Sequence, residues 1–427
     1  MILVGASSLA WFGADIGSEP HFVDESAYIS QAYFADLWLD GRRDDPAWLE
    51  YPGYDLPPLP KYLIGVALRA ANLRRPGRAA AFAWYRNTST RPESSAMLAV
   101  ARRPSAILGA LGCTAIFAIG LQCEGFRVGT IAAGLLAVNP LYRMHARRAM
   151  SDVPAEGLIL ACLAVGLWAL SRVAEGRRPI AATVAVVGAG LLGGLATLAK
   201  LNGALGLMTL VAWGVAALGL SSISIPRKCG MLAAVVVAGV TGLATFVLLN
   251  PFLTARPTEN LPAALTAINR LDLVGRARFL SDHRISVSAG AARQFPHNAL
   301  GTPVQKIAAV AVQGFGRFGP LGPRRTDSTR RFDPRQDAGM LLWLPIVLAG
   351  GARAVAIGMA QSRSGATPTA WAIPIQAALA TVVVTTFIPL AWDRYYLSIQ
   401  SGAALLAAFA IVGLWDRFRR PRPAAGS

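Results

Sequence analysis

Asp24 and Glu25 stand side by side in the segment His21 to Tyr28, just past the first apolar stretch of the chain. Two readings of the pair are open. Carboxylates here can take a proton from an acceptor hydroxyl or amine, or hold a divalent metal. They can equally be the first turn of a helix, where the macrodipole favours negative charge. Further on, the segment Tyr54 to Gly65 joins Asp55 to Lys61 through a run stiffened by Pro57, Pro58 and Pro60. Its plain reading is a rigid entry into an interfacial helix, with Lys61 reaching towards headgroups. Arg147, Arg148 and Asp152 open a later apolar run together with Pro154. Asp152 and Pro154 are helix-start chemistry, while the two arginines suit a phosphate at a membrane surface. Lys200, Asp393, Arg394 and Tyr395 stand at the ends of other apolar runs.

The composition says what must position these groups. Of 427 residues, 54% are hydrophobic and 15% charged, against about a quarter charged in a soluble domain. Mean hydropathy is +0.45. Apolar runs lie near Ala99–Leu121, Val128–Leu141, Val153–Leu170, Ile180–Leu198, Ala204–Leu220, Met231–Leu249, Gly339–Met359, Ala370–Ala391 and Leu397–Leu414. With Met1 to Phe12 they predict an all-α polytopic membrane protein of about ten transmembrane helices. The first run is short for a span and lacks the basic start of a signal peptide. It reads as a first helix missing residues at its start, or one extended by the segment after it.

Residues 14–97 then form a first outer loop with interfacial helices. One covers Ser26 to Leu39, with Tyr28, Tyr33, Phe34, Leu37 and Trp38 at near-helical spacing, and a second covers Lys61 to Ala71. Residues 251–338 form a second large outer loop on the acceptor side, and 415–427 a basic cytoplasmic tail. Short-loop cations orient the chain. Arg172, Arg177, Arg178, Arg227, Lys228, Arg353, Arg363, Arg417, Arg419, Arg420 and Arg422 fall inside. Asp24, Glu25, Asp55, Lys61, Arg147, Arg148, Asp152, Lys200, Asp393 and Arg394 then share one outer face, although they come from distant parts of the chain.

The net charge of +18 is spread along the spans, as anchors for anionic headgroups and ligands for phosphate. That distribution speaks for membrane lipids and against a nucleic-acid partner. Cys113, Cys123, Cys162 and Cys229 read as buried reduced thiols. His21, His145, His283 and His297 lack zinc spacing and read as polar loop residues, His283 being the one to watch. Phe315 to Pro320 reads as an interfacial anchor, or as the lining of an acceptor or lipid groove.

In order, Asp24-Glu25, Asp55 to Lys61, Arg147 to Asp152, Lys200 to Gly203 and Arg394-Tyr395-Tyr396 resemble the motifs of the dolichyl-phosphate-mannose protein mannosyltransferase-like family. Its bacterial relatives include the aminoarabinose transferases that modify lipid A, and all are GT-C integral-membrane glycosyltransferases. The resemblance covers residues 1–255 and 391–410. It implies a single GT-C helical bundle over 1–427, in a bacterial cytoplasmic membrane, with its active site facing outward. It also implies transfer with inversion from a polyprenyl-phosphate sugar to an extracytoplasmic protein, lipid or glycan. By that resemblance Asp24 is the catalytic carboxylate, and Glu25 supports it or shares a divalent metal with it. Arg147, Arg148, Lys61, Lys200 and Arg394 neutralise the donor phosphate; Asp55, Asp152, Asp393 and Tyr395 support them. One departure is Leu56, where many relatives carry His. A transporter of lipid-linked sugars and a non-catalytic relative are the alternatives. Against the first, no internal repeat is evident and the charges cluster at span ends rather than in mid-membrane.

Overall fold

The computed structural model describes residues 1–87, 93–176, 179–220, 224–258, 260–319 and 340–419. Arg177, Arg178, Pro320, Arg420 and Arg422, named above, lie outside the described residues. The apolar runs are helices, as expected. Among the described residues eight are long and apolar enough to cross a membrane, and Ile2–Gly13 and Phe126–Val138 are shorter apolar helices.

The chain begins with α1 (Ile2–Gly13) and enters the loop expected to face outward, which folds into α2 (Val23–Ser30), α3 (Phe34–Leu39), α4 (Tyr51–Tyr54), α5 (Pro58–Ala70) and α6 (Arg78–Tyr85). The bundle continues through α7 (Ser95–Cys123), α8 (Phe126–Val138), the short α9 (Pro140–Ala146), α10 (Asp152–Glu175), α11 (Pro179–Ala199), α12 (Leu205–Leu220) and α13 (Ile225–Leu248). The second loop expected to face outward carries α14 (Pro251–Thr254), α15 (Ala263–Asn269), α16 (Leu273–Gln294), α17 (Pro303–Ala309) and a π-helical stretch, Val310–Arg317. Last come α18 (Met340–Arg363), α19 (Ala372–Phe387) and α20 (Leu397–Arg419).

Burial separates the helices into centre and rim. Of the spanning windows of α10 and α20, 89% is buried within the protein, against 28% for α13 and α18. The two central helices begin at the same end of the bundle, so their first turns meet. Elsewhere in the bundle, close helix approach depends on glycine. A Cβ on Gly157 of α10 would lie 2.1 Å from the Leu108 carbonyl oxygen of α7, and one on Gly350 of α18 only 1.7 Å from that of Leu406 in α20. In lipid, where burial of apolar surface does not drive association, such contacts are what hold helices together. At the opposite end Arg353 bridges Glu124 and Asp416, and Arg127 reaches Asp416 at 3.2 Å.

Three local expectations change. Ser26 to Leu39 is two helices broken around Ala32, and its apolar face packs on protein rather than on lipid: Tyr28, Phe34 and Leu37 are buried. Phe318 is likewise buried, stacked on Tyr396 at 5.5 Å, and is no interfacial anchor. Cys113, Cys123 and Cys162 are buried free thiols, but Cys229 is exposed.

Candidate active site

Two adjacent carboxylates open α2 and point apart, because neighbouring positions on a helix are about 100° apart. Glu25 turns inward and is fully buried. Its oxygens accept both Nε and Nη2 of Arg102 at 2.8 Å, the Ala149 amide at 2.8 Å and the Phe22 amide at 3.0 Å. Arg102, also fully buried, spends its remaining protons on the carbonyls of Ile16, Glu19 and Pro20. Burial alone would raise the Glu25 carboxyl. The Arg102 and Ala149 hydrogen bonds, with the Arg102 charge, outweigh it and hold the group below its ordinary value. Glu25 is therefore the clasp between the first outer loop and α7.

Asp24 turns outward, half-buried, and pairs with Arg394. The guanidinium lies over the rings of Trp392 at 4.9 Å and Tyr395 at 5.7 Å. A second pair adjoins it. Asp152, in the first turn of α10, is buried and bonded to Lys200 at 2.6 Å, and Lys200 lies 5.8 Å from the Tyr395 ring. Tyr395 thus stands between the two cations, and the Arg394 charge also acts on Asp152. Tyr28, one turn after Asp24, is buried among them. Burial first, then the Asp152 charge, raises its phenol, so it is a neutral hydroxyl.

His145 at the end of α9 is buried, with Nε2 3.7 Å from Asp393 Oδ1 and neither ring nitrogen hydrogen-bonded among the described residues. It is a core residue beside the site, not the polar loop residue expected. One turn below Asp152, Glu156 is buried too and accepts the Ser401 hydroxyl.

Asp55 gathers the second outer loop. It accepts His283 Nε2 at 2.9 Å and the Tyr85 hydroxyl at 2.6 Å, with Arg284 at 3.6 Å. Tyr85 in turn accepts Gln31 at 2.9 Å, which links the cluster back to α2. Arg284 borders a groove between Tyr54, Leu56, Pro57, Leu198 and Leu201, the last two flanking the segment of Lys200. Its charge also reaches Tyr28.

Of the cations expected at a phosphate, Lys200 and Arg394 meet at this mouth. Three are engaged elsewhere. Lys61 is wholly buried, donating to the carbonyls of Pro52 at 2.6 Å and Gly53 at 3.1 Å; burial pushes its ammonium well below the ordinary value. Arg147 bonds the Asp15 carbonyl and the Ser18 hydroxyl. Arg148 lies over Phe22 at 4.6 Å and 3.9 Å from Glu19. Lys61 and Arg147 hold backbone carbonyls, while among the described residues Arg148 is held by side chains alone.

The residues that sequence reasoning missed are Arg102, Arg284, Tyr28, His145 and Glu156. A charge inside an apolar run was the available signal for Arg102, and the four-residue interval from Asp152 for Glu156. The pair Asp24-Glu25 does not fit a divalent ion, since Glu25 is saturated and Asp24 faces a guanidinium. Among the described residues no three His, Cys, Asp or Glu gather as a metal site would need. What the arrangement offers is an exposed-edge carboxylate, two cations flanking a tyrosine ring, and a third cation beside an apolar groove.

No protein-family model and no curated protein matches the sequence. Solved structures do match. The oligosaccharyltransferase of Archaeoglobus fulgidus, tethered to an acceptor peptide, aligns with TM-score 0.55 and 15% identity over 97% of this chain and 50% of its own. ArnT from Cupriavidus metallidurans bound to undecaprenyl phosphate aligns with TM-score 0.53 and 17% identity, over 97% and 61%. The archaeal enzyme AglB, in complex with an inhibitory peptide and a dolichol-phosphate, gives 0.54 and 15%, over 97% and 50%. The chain spans about half to three-fifths of the length of these structures. The likeness is one of fold: the helical bundle resembles the GT-C bundles of these structures, as the sequence motifs imply.

Proposed function

We propose that this chain is an inverting glycosyltransferase of a bacterial cytoplasmic membrane, taking a sugar from a polyprenyl phosphate at the outer end of its bundle. The observation that carries the reading is the meeting of four distant segments at one mouth, as Asp24 with Arg394 and Asp152 with Lys200. An anionic lipid donor suits two cations at one tyrosine ring and a third, Arg284, beside an apolar groove. In the transfer, the acceptor oxygen or nitrogen bonds to the anomeric carbon while its proton passes to an Asp24 oxygen. The bond from that carbon to the phosphate oxygen breaks, and its electron pair leaves with the phosphate. Fixed cations serve best where charge develops, and Lys200, Arg394 and Arg284 hold those places. Asp152 aims Lys200, Tyr395 spaces the two cations, and Glu25 with Arg102 fixes the turn that presents Asp24. No step runs through a metal.

The test is transfer from a panel of radiolabelled polyprenyl-phosphate sugars by purified protein in lipid, with crude envelope as acceptor, beside Asp24→Asn. Label should move with the native protein and fall by at least about a hundredfold in the variant, the scale of a lost general base. Equal turnover in both would remove Asp24 from the mechanism. No transfer from any donor would turn the reading towards a transporter or a non-catalytic relative.

A further inference from the structure

Arg394 is the one partner of Asp24 among the described residues, and it is asked to serve two anions. A phosphate gripped across both Nη groups, the two-point geometry that a guanidinium favours, competes with Asp24 for Nη1. The rings of Trp392 and Tyr395 lie within 5.7 Å of the guanidinium, and the edge of the fork is turned to Asp24. Its backbone is fixed on both sides. The Arg394 amide donates to its neighbour Asp393 at 2.6 Å, and the Ala391 amide to the Asn298 carbonyl at 2.8 Å. The Tyr396 hydroxyl donates to Gln313 of the π-helical stretch at 2.8 Å. Yet the side chains of Arg394 and Asp24 remain 22% and 29% exposed, so a ligand can reach the pair. The pair holds Asp24 Oδ2 on the guanidinium and so fixes the orientation of the carboxylate.

We infer that the Asp24–Arg394 pair is a resting latch: the donor phosphate takes Arg394 from Asp24, and only then does Asp24 face the acceptor. The site is thereby armed by the donor, and binding is ordered, donor before acceptor. This rests on the donor reading above and adds to it a switch of partners at one arginine. It also gives a reason for the rigid seat of Arg394, since the cation stays in place while its anion changes. Asp24, at the start of α2, loses its partner yet keeps the favourable end of a helix dipole.

The experiment needs no acceptor. Binding of radiolabelled undecaprenyl phosphate is measured in nanodiscs for the native protein, Asp24→Asn, Arg394→Gln and the double variant. Removing a competing ionic contact should tighten binding in Asp24→Asn by roughly tenfold or more. Asp24→Ser, shorter and also uncharged, should show the same gain, which guards against a folding artefact of one substitution. In the Arg394→Gln background the gain should vanish, because there is no latch to release. Unchanged or weaker binding by both Asp24 variants overturns the latch. A gain that survives in Arg394→Gln overturns it as well, reducing the effect to simple repulsion between carboxylate and phosphate. Lack of binding by every form defeats the donor reading itself, an outcome distinct from binding without gain.

Discussion

The Glu25–Arg102 pair makes a prediction that separates structural from catalytic carboxylates. Both side chains are fully buried, and their two hydrogen bonds are each 2.8 Å. Replacing one partner strands the other's charge inside the protein, which costs about 3–5 kcal/mol. Arg102→Leu leaves the Glu25 carboxylate with only two amide donors, those of Ala149 and Phe22. Glu25→Gln leaves a guanidinium with three carbonyls and one amide oxygen. Each should therefore shift the folding equilibrium by roughly two to three and a half powers of ten. The double variant Glu25→Leu, Arg102→Leu buries no charge and should recover most of the loss, since replacing a whole buried pair by apolar groups is often neutral. Unfolding of the detergent-solubilised protein, followed by titration with a denaturing detergent, measures all four corners of the cycle. Additive losses in the double variant would refute the argument, because a pair that acts as a unit cannot lose its energy twice. If the recovered double variant also binds undecaprenyl phosphate and transfers, Glu25 takes no part in the chemistry.

Two further outcomes follow from the geometry. Asp55 is held below its ordinary 3.8: burial opposes this, but the His283 hydrogen bond, the Arg284 charge and the Tyr85 hydrogen bond outweigh it. Folding therefore disfavours the proton, so the contribution of Asp55 is complete above 3.8 and is lost as pH falls through the lower folded value. Hydrogen exchange across α16 should stay slow down to that range and then quicken, whereas Asp55→Asn should quicken it already at neutral pH. Among the glycines, Gly157→Ala places a Cβ 2.1 Å from the Leu108 carbonyl and should cost about 1–3 kcal/mol. Gly188→Ala, with nothing within 4 Å, should leave the melting temperature unchanged or raise it.

The helices were legible because a bilayer demands uninterrupted apolar runs, and nothing in tertiary packing alters that demand. The meeting of Asp24, Asp152, Lys200 and Arg394 was half legible. Alternation of spans put them at one end, but only packing pairs Asp24 with Arg394 and Asp152 with Lys200. Lys61 and Arg147 look the same in sequence as Lys200 and Arg394. Their difference lies in which backbone carbonyls turn towards them, Pro52 and Gly53 for one and Asp15 for the other. Asp24 and Glu25 are similarly alike until α2 is docked and one of them must face Arg102. The break around Ala32 was hidden because the apolar spacing runs through it; α2 ends at Gln31, whose side chain bonds Tyr85.

The division of helices into centre and rim bears on how such a protein changes over evolutionary time. Helices α10 and α20 touch protein on nearly every side, so each of their residues has several neighbours to satisfy. Most of α13 and α18 has only hydrocarbon to satisfy, and Val, Leu, Ile and Ala answer that requirement interchangeably. Substitutions can accumulate along the rim without consulting the centre. A bundle built this way can keep its architecture while its rim sequence changes, and the tightest demands fall on the few first turns where the central helices meet the loops.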